Sequence, residues 1–289
     1  MTSGSLLGEI DLPRRTRRRD RPSIIVALAF FVVLLAVFAA VFGTAVAPYS
    51  PYAQDLEHVL QGPSSAHLLG TDASGGDTLS EILAGARSAI LGPAAITLGS
   101  LLLGGAFGLV AGFRGGVTDA VIMRIVDLMY ALPGLLIAIL VVGVFGGGYP
   151  AAVGVLLVLG APVHARIVRG ATLEQRDLPY VEAARGLGAR EWKLMVRHIW
   201  PNIAPLVTAN AFLSFAHNLV ALAGLSFLGL GVPSGAPDWG LMLSNSLPTF
   251  EQAPWATFVP GLALVFLAVA MNLLGDWSYQ RMSERGRAR

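Results

Sequence analysis

The sequence predicts an all-α polytopic membrane protein with six transmembrane helices. Of its 289 residues, 54% are hydrophobic and 13% are charged, whereas soluble domains carry about 25% charged residues. Mean hydropathy is +0.65. So few charges cannot cover a water-soluble globule of this size, which excludes soluble enzymes and disordered chains. Because the chain contains no cysteine, disulfide scaffolds, thiolate metal sites and thiol redox couples are excluded as well.

The first predicted element is a transmembrane helix over 24–46, a stretch of 23 residues without a charge. About 20 apolar residues suffice to span a bilayer. The basic tail 1–23 precedes it, and Ala45-Val46-Ala47 resembles a signal-peptide cleavage site. Signal peptides have apolar cores of only about 7–15 residues. The length therefore favours an uncleaved anchor over a cleaved signal peptide.

Five further apolar stretches complete the predicted six helices. Four prolines lie in or beside them (Pro133, Pro162, Pro205 and Pro260), and membrane helices tolerate such prolines where neighbours satisfy the freed carbonyls. After the first helix, the predicted organisation is an external loop over 47–88, a transmembrane domain over 89–281 and a C-terminal tail over 282–289. The predicted spans in that domain are about 89–112, 119–145, 147–167, 203–230 and 257–278.

The distribution of basic residues predicts the orientation. With the N-terminus inside, 18 of the 20 Lys and Arg residues fall in the segments 1–23, 113–118, 166–202 and 279–289. Cytoplasmic loops of membrane proteins are enriched in these residues. We therefore expect a multi-pass protein of the inner, or plasma, membrane with both termini in the cytoplasm.

Two of the predicted loops are long enough to fold. Asp77–Ser88, at the end of the external loop, has the periodicity of an amphipathic surface helix capped by Asp77 or Thr78. The internal loop 166–202 is also helical in pattern, with Pro179 expected to start the helix and Pro201 to stop it.

The internal loop carries the most informative motif. It predicts one cytoplasmic helix, a break at Gly188 and a second helix that leads into the fifth span. A projecting helix–turn–helix can dock into a groove of a partner protein. The same basic helices could instead lie on anionic lipid headgroups, and the residues by themselves leave both interpretations open.

The same loop resembles a known family. Glu182-Ala183-Ala184, three residues, Gly188, nine residues and then His198-Ile199-Trp200-Pro201 is similar to the EAA loop of binding-protein-dependent ABC importer permeases. Further stretches resemble the C-type subunits of the dipeptide, oligopeptide and nickel branch. They are His67-Leu68-Leu69-Gly70-Thr71-Asp72, Leu225-Ser226-Phe227-Leu228-Gly229-Leu230-Gly231, Trp239-Gly240, Ala253-Pro254-Trp255 and Asn272-Leu273-Leu274-Gly275-Asp276. The resemblance covers about residues 24–281.

This resemblance implies a type I ABC importer permease fold and half of a transmembrane pathway for di- or oligopeptides or a related small solute. It implies four partner types: a homologous B-type permease in a heterodimer, two ATPase subunits, an extracytoplasmic binding protein and the lipid bilayer, with no nucleic acid. The EAA loop would be the coupling helix that sits in a groove of one ATPase. The residues expected to couple are Glu182, Ala183, Ala184, Gly188, His198 and Pro201.

Among these, Glu182 would pair with an ATPase cation, Gly188 would permit a sharp turn and Pro201 would end the helix. The one lysine, Lys193, lies between Trp192 and Leu194, so the chain has no G-x-x-x-x-G-K-[ST] phosphate-binding loop. We expect no catalytic residue and no cofactor in this chain, with ATP and Mg bound by the partner ATPases.

The sequence departs from that branch at three points. Gly76 stands where the branch usually has arginine, and Leu222 stands where it usually has glutamate; the C-terminal Asp-Pro after Met282 is missing. The first two changes remove a charge on or near the external side of the pathway and bear on the identity of the substrate.

Polar residues within the spans supply further candidates. His217 and Asn218 lie near the middle of the fifth predicted helix, where polar side chains are costly. They would line the pathway or form an interhelical hydrogen bond to the partner permease. Arg124 and Asp127 are spaced to pair with each other, and His164 and Arg166 are expected as interface anchors. Ser100, Gly104, Gly108 and Gly112 form a small-residue stripe for close helix packing.

No metal site is predicted. His67, Asp72 and Asp77 are spaced loosely, which favours a capped loop over a metal site. An ion-coupled secondary transporter is the alternative function, but it would need carboxylates at the midplane and often has inverted repeats; neither is evident here. An intramembrane serine hydrolase would need G-x-S-x-G, and Gly224-Leu225-Ser226-Phe227-Leu228 fails that pattern.

Overall fold

The computed structural model describes residues 24–131, 133–146 and 148–287, without the side chains of 283–287. The predicted basic tail 1–23 lies outside the described residues. Within them the chain is helical, with one isolated bridge between Thr71 and Asp77 and no strand. The ten α-helices are α1 (Ile24–Val46), α2 (Thr78–Arg114), α3 (Gly116–Tyr130), α4 (Gly134–Phe145), α5 (Gly148–Arg176), α6 (Pro179–Gly186), α7 (Glu191–Lys193), α8 (Trp200–Phe227), α9 (Trp239–Ser246) and α10 (Pro254–Arg287).

Five helical segments in the described ranges are long and apolar enough to cross a membrane, and the bent pair α3–α4 gives a sixth. This confirms the all-α, six-span prediction, and α1 has the predicted bounds. The predicted single helix over 119–145 is wrong. It consists of two helices that meet at an angle of 74°. Pro133, which lacks a backbone N–H, directly precedes α4 and accounts for the break.

The expectation of a separate surface helix over Asp77–Ser88 is also wrong. Those residues form the first turns of the 37-residue helix α2, and Asp77 caps it by accepting a hydrogen bond from the Ser80 backbone N–H at 2.9 Å. Trp239 of α9 donates its indole N–H to the Ile82 carbonyl at 3.0 Å. The segment is continuous with the span because its inner face packs on α1 and α9.

The internal segment is shorter than predicted. Helix α5 continues to Arg176, so the connection starts there and not at 166. Helix α7, a π-helical segment over Leu194–Ile199 and helix α8 form one continuous helix over Glu191–Phe227. The expectation that Pro201 ends a helix is therefore wrong; Pro201 lies in the first turn of α8, directly after Trp200. The π-helical turn before it shifts the hydrogen-bonding register ahead of a residue that has no N–H to donate.

Helices α2 and α5 pack closely along the stripe of small residues. At Gly104, a Cβ atom would lie 2.9 Å from the Ala161 carbonyl carbon, and at Gly108 it would lie 3.1 Å from the Ala165 Cα. At Gly112 it would lie 2.8 Å from the Arg169 carbonyl oxygen. The stripe of small residues is therefore a packing device, as predicted. It fixes α2 against α5 and so positions one wall of the site described next.

Leu222 lies in an apolar cluster and not in a polar pathway. It is 3% exposed and packs with Ile96, Val142, Leu156 and Leu225. The cluster joins α2, α4, α5 and α8. A leucine at this position extends the core. This packing explains locally why Leu222 fits here, where the branch that the sequence resembles usually has glutamate.

Candidate functional site

Residues 177–202, which follow α5 and end in the first turn of α8, form a projecting helix–turn–helix that we call the coupling segment. Helix α6 begins at Pro179, where the predicted start is confirmed. Its inner side is anchored by Val181, which is 0% exposed. Val181 belongs to one apolar cluster with Leu109 and Phe113 of α2 and with Leu194 and Ile199 of the π-helical segment. This cluster therefore joins α6 to α2 and to the helical segment that leads into α8.

The outer side of the coupling segment is exposed in the described part of the chain. Glu182 and Ala183 are exposed on α6. Leu187 is 90% exposed and Trp192 is 68% exposed, so two large apolar side chains flank the turn between the helices. Exposed apolar groups of this kind commonly mark interaction sites.

The turn itself depends on glycine. Gly188 has φ +80°, in the left-handed region that side-chain-bearing residues rarely adopt, and apart from its chain neighbours no described atom lies within 4 Å of where its Cβ would be. Its N–H donates to the Arg185 carbonyl at 2.9 Å. The requirement for glycine thus comes from the backbone conformation and not from crowding.

Polar contacts tie the coupling segment to the bundle. The Tyr180 hydroxyl donates to Gln175 Oε1 at 2.9 Å and accepts from Asn202 Nδ2 at 3.2 Å, and burial raises the pKa of Tyr180. Arg114 at the end of α2 pairs with Glu191 through Nε and Oε2 at 3.1 Å. The ends of α2, α5 and α8 are therefore all connected to the turn.

The remaining predicted coupling residues lie on the inner or rear parts of this segment. Ala184 packs against the apolar cluster around Val181. His198 is half-buried, and its carbonyl accepts a hydrogen bond from Asn202 Nδ2 at 2.6 Å. Pro201 is exposed in the first turn of α8. The structure thus separates Glu182, Ala183 and Gly188, which face outward, from Ala184 and His198, which contact the protein itself.

A cavity of about 380 Å³ lies between α2, α4, α5 and α8. Its wall is mainly apolar, with six polar side chains: Ser100, His164, Asn210, Ser214, His217 and Asn218. No acidic residue, lysine or arginine lies among its described lining residues. It can therefore offer hydrogen bonds to an uncharged polar group without a fixed countercharge.

The structure brings His217 and Asn218 to this cavity. His217 is exposed, while Asn218 is 7% exposed and donates from Nδ2 to Thr97 Oγ1 of α2 at 3.0 Å. Asn218 therefore forms an interhelical hydrogen bond within the chain, whereas the bond considered from the sequence was to the partner permease. His217 is therefore the better residue for testing a role in the pathway.

His164 was expected as an interface anchor, and this expectation is wrong. It is 2% exposed and lines the cavity. Sequence reasoning also missed Asn210 and Ser214. A usable signal was present, because 210, 214, 217 and 221 recur at intervals of three or four residues and so lie along one face of α8.

The expected Arg124–Asp127 pair is not formed. Asp127 instead accepts from Arg166 Nη2 of α5 at 2.6 Å, and the Arg166 guanidinium also stacks over the Tyr130 ring at 4.0 Å. A guanidinium can make both contacts at once because it is planar and delocalised. With the Arg169–Asp119 pair, it joins α3 to α5.

The loop before α2 is held by caps. His67 Nδ1 lies 3.0 Å from Asp77 Oδ1, while Asp72 Oδ1 accepts backbone N–H groups from Ser74 and Gly76 at 2.9 and 2.7 Å. In the described part of the chain, no three His, Cys, Asp or Glu residues are grouped to hold a metal ion. This geometry agrees with the predicted capped loop.

Comparison with known protein families assigns the chain to one of them. Residues 104–287 match the family described as binding-protein-dependent transport system inner membrane component, which is more than half of the sequence. The chain belongs to this family.

Curated relatives match this permease over most of its length. It is 37% identical over 261 residues to the glutathione transport system permease protein GsiD of Pectobacterium atrosepticum, covering 90% of this chain and 86% of the relative. It is 38% identical over 252 residues to the di/tripeptide transport system permease protein DppC of Pseudomonas aeruginosa, covering 84% and 82%. These matches confirm the resemblance that was inferred from the EAA loop.

A solved structure shows the fold. The MetNI methionine ABC transporter in an inward-facing conformation matches with a TM-score of 0.55 at 17% identity, over 70% of this permease and 96% of the solved chain. This permease is therefore a multi-pass inner-membrane transport subunit of an ABC importer. As in its family, it works with ATPase subunits and a binding protein.

Proposed function

We propose that this permease forms one half of a heterodimeric pathway for di- or oligopeptides or glutathione-like peptides, with a homologous B-type permease as the other half. The relatives named above are permeases of glutathione and di/tripeptide systems. The lining of the cavity supports this class of solute, because amide, hydroxyl and imidazole groups can bond to peptide amides without fixing a charge.

The coupling segment is the proposed contact with one of two ATPase subunits, which bind ATP and Mg. The observation that carries this assignment is the outward exposure of Glu182, Ala183, Leu187 and Trp192 around a turn whose inner side is packed on α2 and α8. A surface lying on lipid headgroups would not need this rigid connection to three transmembrane helices. Both termini are then cytoplasmic, as the distribution of basic residues predicts.

The proposed mechanism is alternating access. ATP-driven closure of the two ATPases draws the coupling segments of the two permeases together, and the helices open toward the docked binding protein. Hydrolysis reverses the motion and releases solute inside. ATP can drive this change only because its bound form favours one of the two states.

The coupling assignment is tested with Glu182→Arg in the assembled importer. Reversing the exposed charge should abolish ATPase stimulation by the loaded binding protein, while the complex still forms. Glu174→Arg is the matched control, because Glu174 is also exposed but lies on α5 outside the coupling segment. Normal stimulation in Glu182→Arg, or equal loss in both variants, would refute the assignment.

The pathway assignment is tested separately with His217→Ala. We expect altered uptake affinity or rate across a panel of di- and tripeptides, with unchanged assembly, because His217 is exposed to the cavity and makes no structural hydrogen bond among the described residues. Unchanged transport of every peptide would remove His217 from the pathway. Affinity purification of the tagged chain with mass spectrometry identifies the partner permease, and recovery of a homodimer would contradict the heterodimer.

A further inference from the structure

A second, smaller cavity lies at the N-terminal end of α2, at the opposite end of that helix from the coupling segment. It has a volume of about 50 Å³. The loop residues 51–54, Asp72, the first turns of α2 and the face of α9 around Asn245 enclose it. None of its lining residues lies in the pathway cavity described above.

Two carboxylates border this space on either side of Gly76. A Cβ atom at Gly76 would lie 3.2 Å from Asp72 Oδ1 and 3.3 Å from the carboxyl carbon of Glu81. Neither carboxylate forms an ion pair with any cation among residues 24–131, 133–146 and 148–282. Asp72 is oriented by two backbone N–H groups, so its position is fixed.

A buried hydroxyl provides an independent sign of a ligand. Thr78 lines the same cavity and is 1% exposed, yet its Oγ1 has no hydrogen-bond partner within the described structure. Buried polar atoms are almost always paired. Thr78 and Glu81 are three residues apart on α2 and therefore share a helix face.

We propose that this cavity is a binding site for a single primary ammonium group, held by Glu81, Asp72 and Thr78. The three side chains offer oxygen acceptors at one cavity, and an ammonium group carries three N–H donors on a compact charge. A planar guanidinium suits a pair of oxygens in one plane instead. A divalent metal is a poorer fit, because no group of three metal-ligating residues occurs in this part of the described chain.

Two sources can supply the ammonium group: a lysine side chain of a protein that docks on this end of the bundle, or a free amine. The site itself does not depend on the proposed transport function, since its residues and the cavity are separate from the pathway and from the coupling segment. Failure of the site would therefore leave that function untouched.

The experiment uses the native assembly in mild detergent. In the first arm, a water-soluble carbodiimide forms zero-length amide cross-links, and peptide mass spectrometry tests whether Glu81 is joined to a lysine of another chain. In the second arm, a neutral diazo reagent esterifies carboxyl groups, and labelling of Glu81 is compared with labelling of the exposed Glu251. Methylammonium and tetramethylammonium are added at equal ionic strength, because only methylammonium can donate hydrogen bonds.

Gly76→Arg provides the blocking variant and Gly76→Ala its matched control. Gly76 does not have a positive φ, so both residues fit the backbone. The arginine would place the chain's own cation between the two carboxylates, while the alanine methyl would meet mainly the movable end of Glu81.

A Glu81–lysine cross-link that is lost in Gly76→Arg and kept in Gly76→Ala supports a docked protein as the source. Protection of Glu81 by methylammonium of about tenfold over tetramethylammonium, without a cross-link, supports a free amine. Absence of the cross-link together with equal protection by both cations overturns the proposal, as does a cross-link that persists in Gly76→Arg.

Discussion

Gly188→Ala isolates the conformation of the coupling turn from its chemistry. Gly188 has φ +80°, and beyond its chain neighbours no atom of the described residues lies within 4 Å of its Cβ position, so the methyl group causes no clash. The cost comes from the left-handed backbone, about 1–2 kcal/mol for a side-chain-bearing residue. A difference of that size changes the population of the native turn roughly 5- to 30-fold.

Gly186→Ala is the matched control. Gly186 lies two residues away at the end of α6, is exposed, has a helical backbone and also has open space around its Cβ position. Alanine is favoured over glycine in a helix by about 1 kcal/mol. The same methyl group should therefore leave this turn intact or strengthen it.

The assay is ATPase stimulation by the loaded binding protein in proteoliposomes, with basal ATPase activity and complex recovery measured on the same samples. We expect Gly188→Ala to reduce stimulation severalfold and Gly186→Ala to match the wild type. Equal behaviour of the two alanine variants would refute the argument that the positive φ at Gly188 sets the geometry of coupling.

Three further variants test the packing and the loop by thermal unfolding in detergent. Gly104→Ala should destabilise by about 1–3 kcal/mol through overpacking against Ala161, whereas Gly154→Ala on α5, with open space, should not; equal midpoints would contradict this. Asp77→Ala should cost about 0.5–2 kcal/mol through loss of the α2 cap, and an unchanged midpoint would contradict that. Leu222→Glu should lower the midpoint sharply because it places an unpaired carboxylate in an apolar cluster; wild-type stability would show that the cluster is hydrated.

The hydrophobic pattern predicted a span accurately where the whole helix is apolar. The first helix begins and ends at the predicted residues. The pattern failed where helices continue past the apolar stretch. Helix α2 has 37 residues and is about 55 Å long at 1.5 Å per residue, against a hydrocarbon core of about 30 Å. Its polar first turns looked like a separate element because tertiary contacts to Trp239, and not hydropathy, make them helical.

The effects of two prolines were predicted wrongly from the sequence. Pro133 was treated as tolerated, yet α3 and α4 meet there at 74°. Pro201 was treated as a stop, yet the helix continues through it behind a π-helical segment. Whether neighbours satisfy the freed carbonyls decides each case, and sequence spacing carries no information about those neighbours. Pairing of Asp127 with Arg166 was unpredictable for the same reason, since it depends on how α3 crosses α5.

The coupling segment and the cavity lined by His217 are connected through the helices α2 and α5. Helix α2 carries Phe113 and Arg114 at the coupling segment and Ser100 at the cavity. Helix α5 carries Gln175 at the coupling segment and His164 at the cavity. The glycine stripe leaves no space between these two helices, so sliding one along the other would force backbone atoms together. If the coupling segment is displaced as proposed, α2 and α5 move as one body together with the continuous helix over Glu191–Phe227, and the freedom to open the cavity lies at α4. Because α4 is separated from α3 by the bend at Pro133, it is the wall best placed to yield.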